Sequence, residues 1–260
     1  MNSFIVVLLV LASVGCATQQ YKPVWRVKDF VLSPVPEIAL ENLAGETVIT
    51  VPTRTMHEML LAHIRISRTA NVQSELYLAE GDDPNAFVGL DVTGRNVMGI
   101  NLGMVRLAGD DASVYAALIG HESAHLAKDH GASRRVRSNT IKLIGTMIGA
   151  GLGIGGVPGG SLISDLGVDV VISAYTRDQE READALGLEY MLANRYDPSG
   201  AIRLYELLLN ASSGFRIPFL ATHPSSDERI ENLRALIEAK KSQDELKPTA
   251  PSTENIFAKE

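Results

Sequence analysis

The segment that most narrows what this chain can fold into is ASVYAALIGHESAHLAKDHG, residues 112–131. It puts two histidines and a glutamate into a stretch that is otherwise mostly apolar or small. Asp110, Asp111 and Ser113 suit an N-cap and Gly131 suits a C′ position, so the pattern predicts one helix between them. Ala116, Ala117, Leu118, Ile119, Ala124 and Leu126 make that helix apolar over much of its surface. Buried polar groups need partners. His121 and His125, four apart, project from one face about a turn apart, where two neutral imidazoles can bind one tetrahedral zinc. Glu122 is rotated by one residue and reaches past the metal toward its open position. There it can take the proton of a water.

Two histidines do not complete a zinc site. A second strongly helical stretch, YTRDQEREADALGLEYMLANR, carries Glu180 and Asp184, again four apart on one face. One carboxylate can bind the metal while the other takes the N–H of a ligating histidine and fixes its tautomer. The spacing alone does not say which does which.

The rest of the chain frames these two helices. Residues 17 to about 50, with Pro23, Pro34 and Pro36, read as a tether. A helix with an apolar stripe is expected from Pro52 to Ala70. Residues 72–79 alternate, and AFVGLDVTGRNVMGINLG predicts a hairpin turning at Thr93-Gly94. Eight glycines fall between Gly145 and Gly160, and no charge stands from Leu143 to Ser164. At about 0.8–1 kcal/mol per glycine this is a poor helix, and it reads as an apolar loop, a candidate lid over the site. The second metal-bearing helix is expected to resume near Ser164 and to end before Tyr196-Asp197-Pro198. Further helices are expected at 199–210 and about 226–241, with a disordered tail at 242–260.

HESAH, then EREADALG 55 residues later, then ATHPSSDERI, is the motif order of metallopeptidase family M48, which this chain resembles over roughly residues 50–240. Pro84-Asn85-Ala86-Phe87, His130 and Tyr196-Asp197-Pro198 add to the likeness. The resemblance implies an α+β, mainly helical, zincin-like metallopeptidase domain at 51–241, with a small β-sheet bordering the active-site helix. It implies zinc, one per chain, on His121, His125 and Glu180, with Glu122 as general base and Asp184 orienting a histidine. His223 would lie near the metal, either donating to the oxyanion or filling the open position at rest. Arg229 matches an arginine that follows this histidine in the family. A substrate would add as a strand to the edge offered by 86–92 or 97–102.

The N-terminus bears on where such a protein works. FIVVLLVLASV at 4–14 is too short to span a bilayer, which needs about 20 apolar residues, and has the length of a signal-peptide core. It ends in Gly15-Cys16, and Cys16 is the only cysteine. The arrangement resembles a bacterial lipoprotein signal: a signal peptide at 1–15, then a lipidated Cys16 and a linker to residue 50. Ala17 after the cysteine implies the outer membrane, facing the periplasm. A net charge of −7 gives no basic footprint, so nucleic acid is not an expected partner.

Three functions fit these residues. The first is a zinc endopeptidase acting on misfolded or unassembled envelope proteins. The second is an envelope chaperone or assembly factor using zinc structurally, and the third is a zinc hydrolase of something other than protein. Glu122 beside a full ligand set favours the first over the second, because a structural site has no need of a base. No Gly-x-Ser-x-Gly elbow surrounds Ser123, which argues against a serine hydrolase. His57 and His63 read as packing or surface residues. His130, beside Gly131, reads as a histidine favoured by a helix C-terminus.

Overall fold

The computed structural model describes residues 24–42, 44–91, 93–131, 175–212, 217–224 and 227–245. The signal-like run, Cys16 and the glycine-rich segment lie outside the described residues.

Residues 24–42 and 44–52 are structured, which corrects the expected tether. Strand β1 (Val24–Arg26) leads into a 3-10 turn at Val27–Phe30, and β2 (Glu37–Glu41) pairs antiparallel with β3 (Thr47–Pro52). In EIALE the glutamates and Ala39 face solvent while Ile38 and Leu40 are buried, the two-residue period of a half-buried strand. Trp25, Val27 and Phe30 are buried as well, so this segment belongs to the core.

Strand β3 passes directly into α1 (Thr53–Thr69), whose Met56, Met59, Ala62, His63 and Ile66 form the buried stripe. Strands β4 (Glu75–Ala79), β5 (Ala86–Leu90) and β6 (Asn96–Asn101) join β1 in a sheet of order β1-β4-β6-β5. The β5–β6 hairpin is antiparallel, with Phe87 opposite Gly99. Asp91 holds its turn by accepting from the Thr93 and Arg95 N–H groups at 2.8 and 2.9 Å, and Gly94 supplies the positive φ of +81°. Of the two strands offered as a substrate edge, only β5 has a free side among the described residues. It lies against the next long helix.

Asn101 ends β6 and caps α2 (Leu102–Ala108), accepting from the Met104 N–H. Helix α3 (Ala112–Ala127) starts at Asp111, which accepts from Ser113 and Val114 N–H at 2.9 and 3.1 Å. Every residue from Val114 to His125 is buried. The helix stops earlier than Gly131 suggests: Lys128 is the C-cap and Asp129 takes a left-handed φ of 46°, while His130 and Gly131 are helical again.

Helix α4 (Arg177–Ala193) starts at Arg177, since Tyr175 and Thr176 are not helical; the expected start near Ser164 lies outside the described residues. Thr176 is extended and caps it, in a capping box with Gln179. It is followed by α5 (Ser199–Ala211), the short α6 (Pro218–Thr222) and α7 (Asp227–Glu245), which runs past the expected start of the tail. Among the described residues no helix is long and apolar enough to cross a membrane. The domain is α+β and mainly helical, with α3 at its centre, packed on α1, α4, α5 and β5.

Candidate active site

Helices α3 and α4 cross where each carries a glycine. A Cβ on Gly120 would come within 2.9 Å of the Gly187 carbonyl oxygen, so the crossing tolerates no side chain there. Gly187, Asp184 and Glu180 lie at i, i−3 and i−7, on one face of α4. The close approach therefore brings both carboxylates onto His121 and His125.

The expected residues converge. His121 Nε2 is 3.1 Å from His125 Nε2 and 3.1 Å from His223 Nδ1, and His223 Nδ1 is 3.1 Å from Glu180 Oε1. Glu180 lies 3.5 Å from His125 Nε2 and 3.6 Å from His121 Nε2. One donor atom from each of the four falls within 4.8 Å of all the others, and all four residues are buried. Ligands about 2.0–2.1 Å from a tetrahedral ion are separated by about 3.3–3.4 Å. The spacings here scatter around that edge, so the residues fit a divalent cation.

The surroundings favour positive charge at this centre. Asp184 Oδ1 accepts from His121 Nδ1 at 3.0 Å, and Arg229 donates to both Asp184 oxygens at 2.7 Å and pairs with Glu180 at 2.5 Å. Burial opposes ionisation of Asp184, but His121 and Arg229 outweigh it and lower its pKa. Burial likewise opposes a charge on His121, yet Asp184 and Glu180 outweigh it and raise its pKa. At His125 burial wins, and its pKa falls well below the ordinary value. The two carboxylates face one arginine, so the pocket selects a proton or a metal ion.

Glu122 is fully buried, and among the described residues neither of its carboxylate oxygens has a hydrogen-bond partner. Oε1 comes no closer than 3.4 Å to His223 Nε2. A buried polar group without a partner is costly unless something absent from the protein completes it. The orphaned carboxylate points at the same cluster as the histidines.

Several residues of the site carry no local sequence signal. Tyr175 stacks on His125 with ring centroids 3.6 Å apart, and its N–H donates to the Thr222 carbonyl just before His223. Phe219 stacks on His223 at 4.4 Å. Tyr205 of α5 donates to Asp184 Oδ1 at 2.8 Å and accepts from Arg229, whose guanidinium also lies over its ring. His130, read from the sequence as a histidine favoured by a helix C-terminus, is buried and turned toward His125. His63 fits the packing reading, with Nε2 at 2.8 Å from Ser74 Oγ.

Comparison with known proteins agrees with this arrangement. Residues 51–237 match the sequence model of Peptidase family M48. The chain is 29% identical over 172 residues to the mitochondrial metalloendopeptidase OMA1 of Schizosaccharomyces pombe, covering 65% of this chain and 48% of that protein. It is 26% identical over 229 residues to the beta-barrel assembly-enhancing protease of Yersinia pestis, covering 84% and 44%. It is 29% identical over 121 residues to the metalloprotease LoiP of Escherichia coli, covering 45% and 47%. The chain spans less than half the length of each of these relatives.

Proposed function

We propose, from the premise that this chain belongs to peptidase family M48, that it is a zinc-dependent endopeptidase of the bacterial cell envelope acting on misfolded or unassembled proteins. The observation that carries the reading is the orphaned Glu122 carboxylate beside the converging His121, His125 and Glu180. A site that only held a metal for structure would have no use for that carboxylate.

In this reading His121, His125 and Glu180 hold zinc, one per chain. When bound, zinc supplies Lewis acidity, lowering the pKa of water toward about 7 and polarising the scissile carbonyl. Glu122 accepts the proton of the attacking water and hands it to the leaving amine. Its burial keeps competing hydrogen bonds away from that proton. Asp184 holds the His121 ring by its Nδ1–H, and Arg229 with Tyr205 holds Asp184. An extended substrate adds to the free side of β5, which lies against α3, so main-chain hydrogen bonds carry much of the binding.

His223 has two possible duties, and its placement favours one at rest. Its Nδ1 sits among the ligand atoms, where it would hold the place that water would take beside a bound metal. Rotation of His223 out of the cluster then precedes turnover and leaves its ring free to donate to the oxyanion.

The envelope setting rests on the apolar run at 4–14 ending in Gly15-Cys16, read as a signal and lipidation site at the outer membrane. The name of the Yersinia relative, a beta-barrel assembly-enhancing protease, is in keeping with it. The test has two arms. Purified protein should cleave unfolded casein, lose that activity to a chelator and regain it with zinc. Cells supplied with labelled palmitate should label the wild type and not Cys16→Ser. Absence of cleavage by zinc-loaded protein would favour a chaperone instead.

A further inference from the structure

The first histidine of the cluster has a carboxylate at its Nδ1, Asp184, whereas the second has an imidazole there. His125 Nδ1 faces His130 Nδ1 at 2.8 Å, with the ring planes 68° apart. His130 Nε2 in turn lies 3.2 Å from Glu182 Oε2, and Glu182 Oε1 pairs with Lys128 at 2.7 Å. His130 is 6% exposed, while the Glu182 side chain is 45% exposed. A line of contacts therefore runs from the protein surface to the back of His125.

The sequence spacing alone does not produce this line. On an uninterrupted helix, residues five apart are rotated by about 140° and face different ways. The left-handed Asp129 breaks α3 after Ala127 and turns His130 back beneath His125. Glu182, two residues beyond Glu180, points off the metal-facing side of α4 and meets His130 there.

Hydrogen-bond bookkeeping then fixes the protons. An ionised carboxylate only accepts, so a His130 ring with a single N–H turns it from Nε2 to Glu182 and offers a lone pair at Nδ1. Two ring nitrogens 2.8 Å apart need one donor and one acceptor, so His125 donates from Nδ1. Its Nε2 is left with a lone pair directed at His121, Glu180 and His223. Resting on the zinc reading above, we propose that Glu182 and His130 are positioning residues for His125. Through an interposed imidazole they set the tautomer and ring orientation that Asp184 sets directly for His121. Partners of this kind commonly affect metal affinity about 10–100-fold.

The test uses the full chain and reads two quantities. Long-range proton–nitrogen NMR of metal-free protein should show His125 with its proton on Nδ1. His130→Leu should lose that preference and weaken zinc, measured against a chromogenic chelator, by about 10–100-fold. His130→Asn, whose Oδ1 stands in for the Nδ1 acceptor, should restore both to within a few-fold. If His130→Leu does not fold, Glu182→Ala at the surface should shift the His125 tautomer in the same sense. A proton on Nε2 of His125 in the wild type would overturn the proposal. So would equal zinc affinity in wild type and folded His130→Leu, or an unchanged tautomer in Glu182→Ala. A wild type that binds no zinc would sink the zinc reading itself, whereas the tautomer measurement stands without metal.

Discussion

Gly187 of α4 lies against His121 of α3 so closely that a Cβ on Gly187 would sit 2.9 Å from the His121 backbone nitrogen. The atoms it would strike are backbone, so the helices themselves must separate. Gly187→Ala is expected to cost about 1–3 kcal/mol of stability. It should also weaken zinc binding, because α4 carries Glu180 and Asp184. Urea unfolding and chelator competition measure the two effects. A variant as stable and as zinc-avid as the wild type would show that the crossing has slack.

Arg229 contacts Asp184, Glu180 and Tyr205 at once while only 4% exposed. Arg229→Met would leave two buried carboxylates without their counter-charge, with an expected loss of about 3–5 kcal/mol. Arg229→Lys should recover only part of it, since an ammonium cannot reproduce the planar fork. Tyr205→Phe removes the hydrogen bond to the Asp184 carboxylate and the one accepted from Arg229, and should cost about 1.5–3 kcal/mol. Thermal or urea unfolding of the three variants should give that order.

His223 is expected to restrain the resting site. Its Nδ1 lies 3.1 Å from both His121 Nε2 and Glu180 Oε1, in the corner a substrate water needs. His223→Ala should therefore weaken zinc binding yet raise casein cleavage several-fold when zinc is saturating. A fall in cleavage at saturating zinc would assign His223 to the oxyanion and not to closure.

Away from the site, His63 makes stability sensitive to acid. Burial, partly opposed by Glu75, pushes its pKa from 6.5 down to about 4. The unfolded chain protonates this imidazole first, so the stability it contributes is intact above about 6.5 and is lost as pH falls toward about 4. By pH 5 the loss amounts to roughly 2 kcal/mol at 1.36 kcal/mol per unit. In urea titrations at pH 7.5 and 5, His63→Gln should lose less stability than the wild type by about that amount. Equal losses would remove His63 from the account.

What the sequence discloses follows from how local each contact is. The pairs His121/His125 and Glu180/Asp184 are legible because each sits on one helix at a spacing that helix geometry alone aligns. That the two pairs share one site depends on the glycine crossing, which periodicity does not reveal. His223 and Arg229 lie on the polypeptide beyond two further helices, and only the family resemblance points to them. Tyr175, Tyr205 and Phe219 look like ordinary core aromatics in the sequence. His130 is hidden by the single left-handed residue Asp129, which no motif marks. At the N-terminus the alternation in EIALE is readable, but Pro34 and Pro36 ahead of it give the signal of a loop and mask β2 and β3.

The central claim is that Glu122, buried beside the metal-ligand cluster with no hydrogen-bond partner among the described residues, is the base of a zinc endopeptidase. Glu122→Gln keeps the shape of the side chain and removes its basicity. Casein cleavage and zinc content should be measured on the same preparations of wild type and variant. The account predicts one zinc per chain in both, with cleavage lowered by about 10²–10⁴-fold in the variant. Undiminished cleavage by zinc-loaded Glu122→Gln would contradict it.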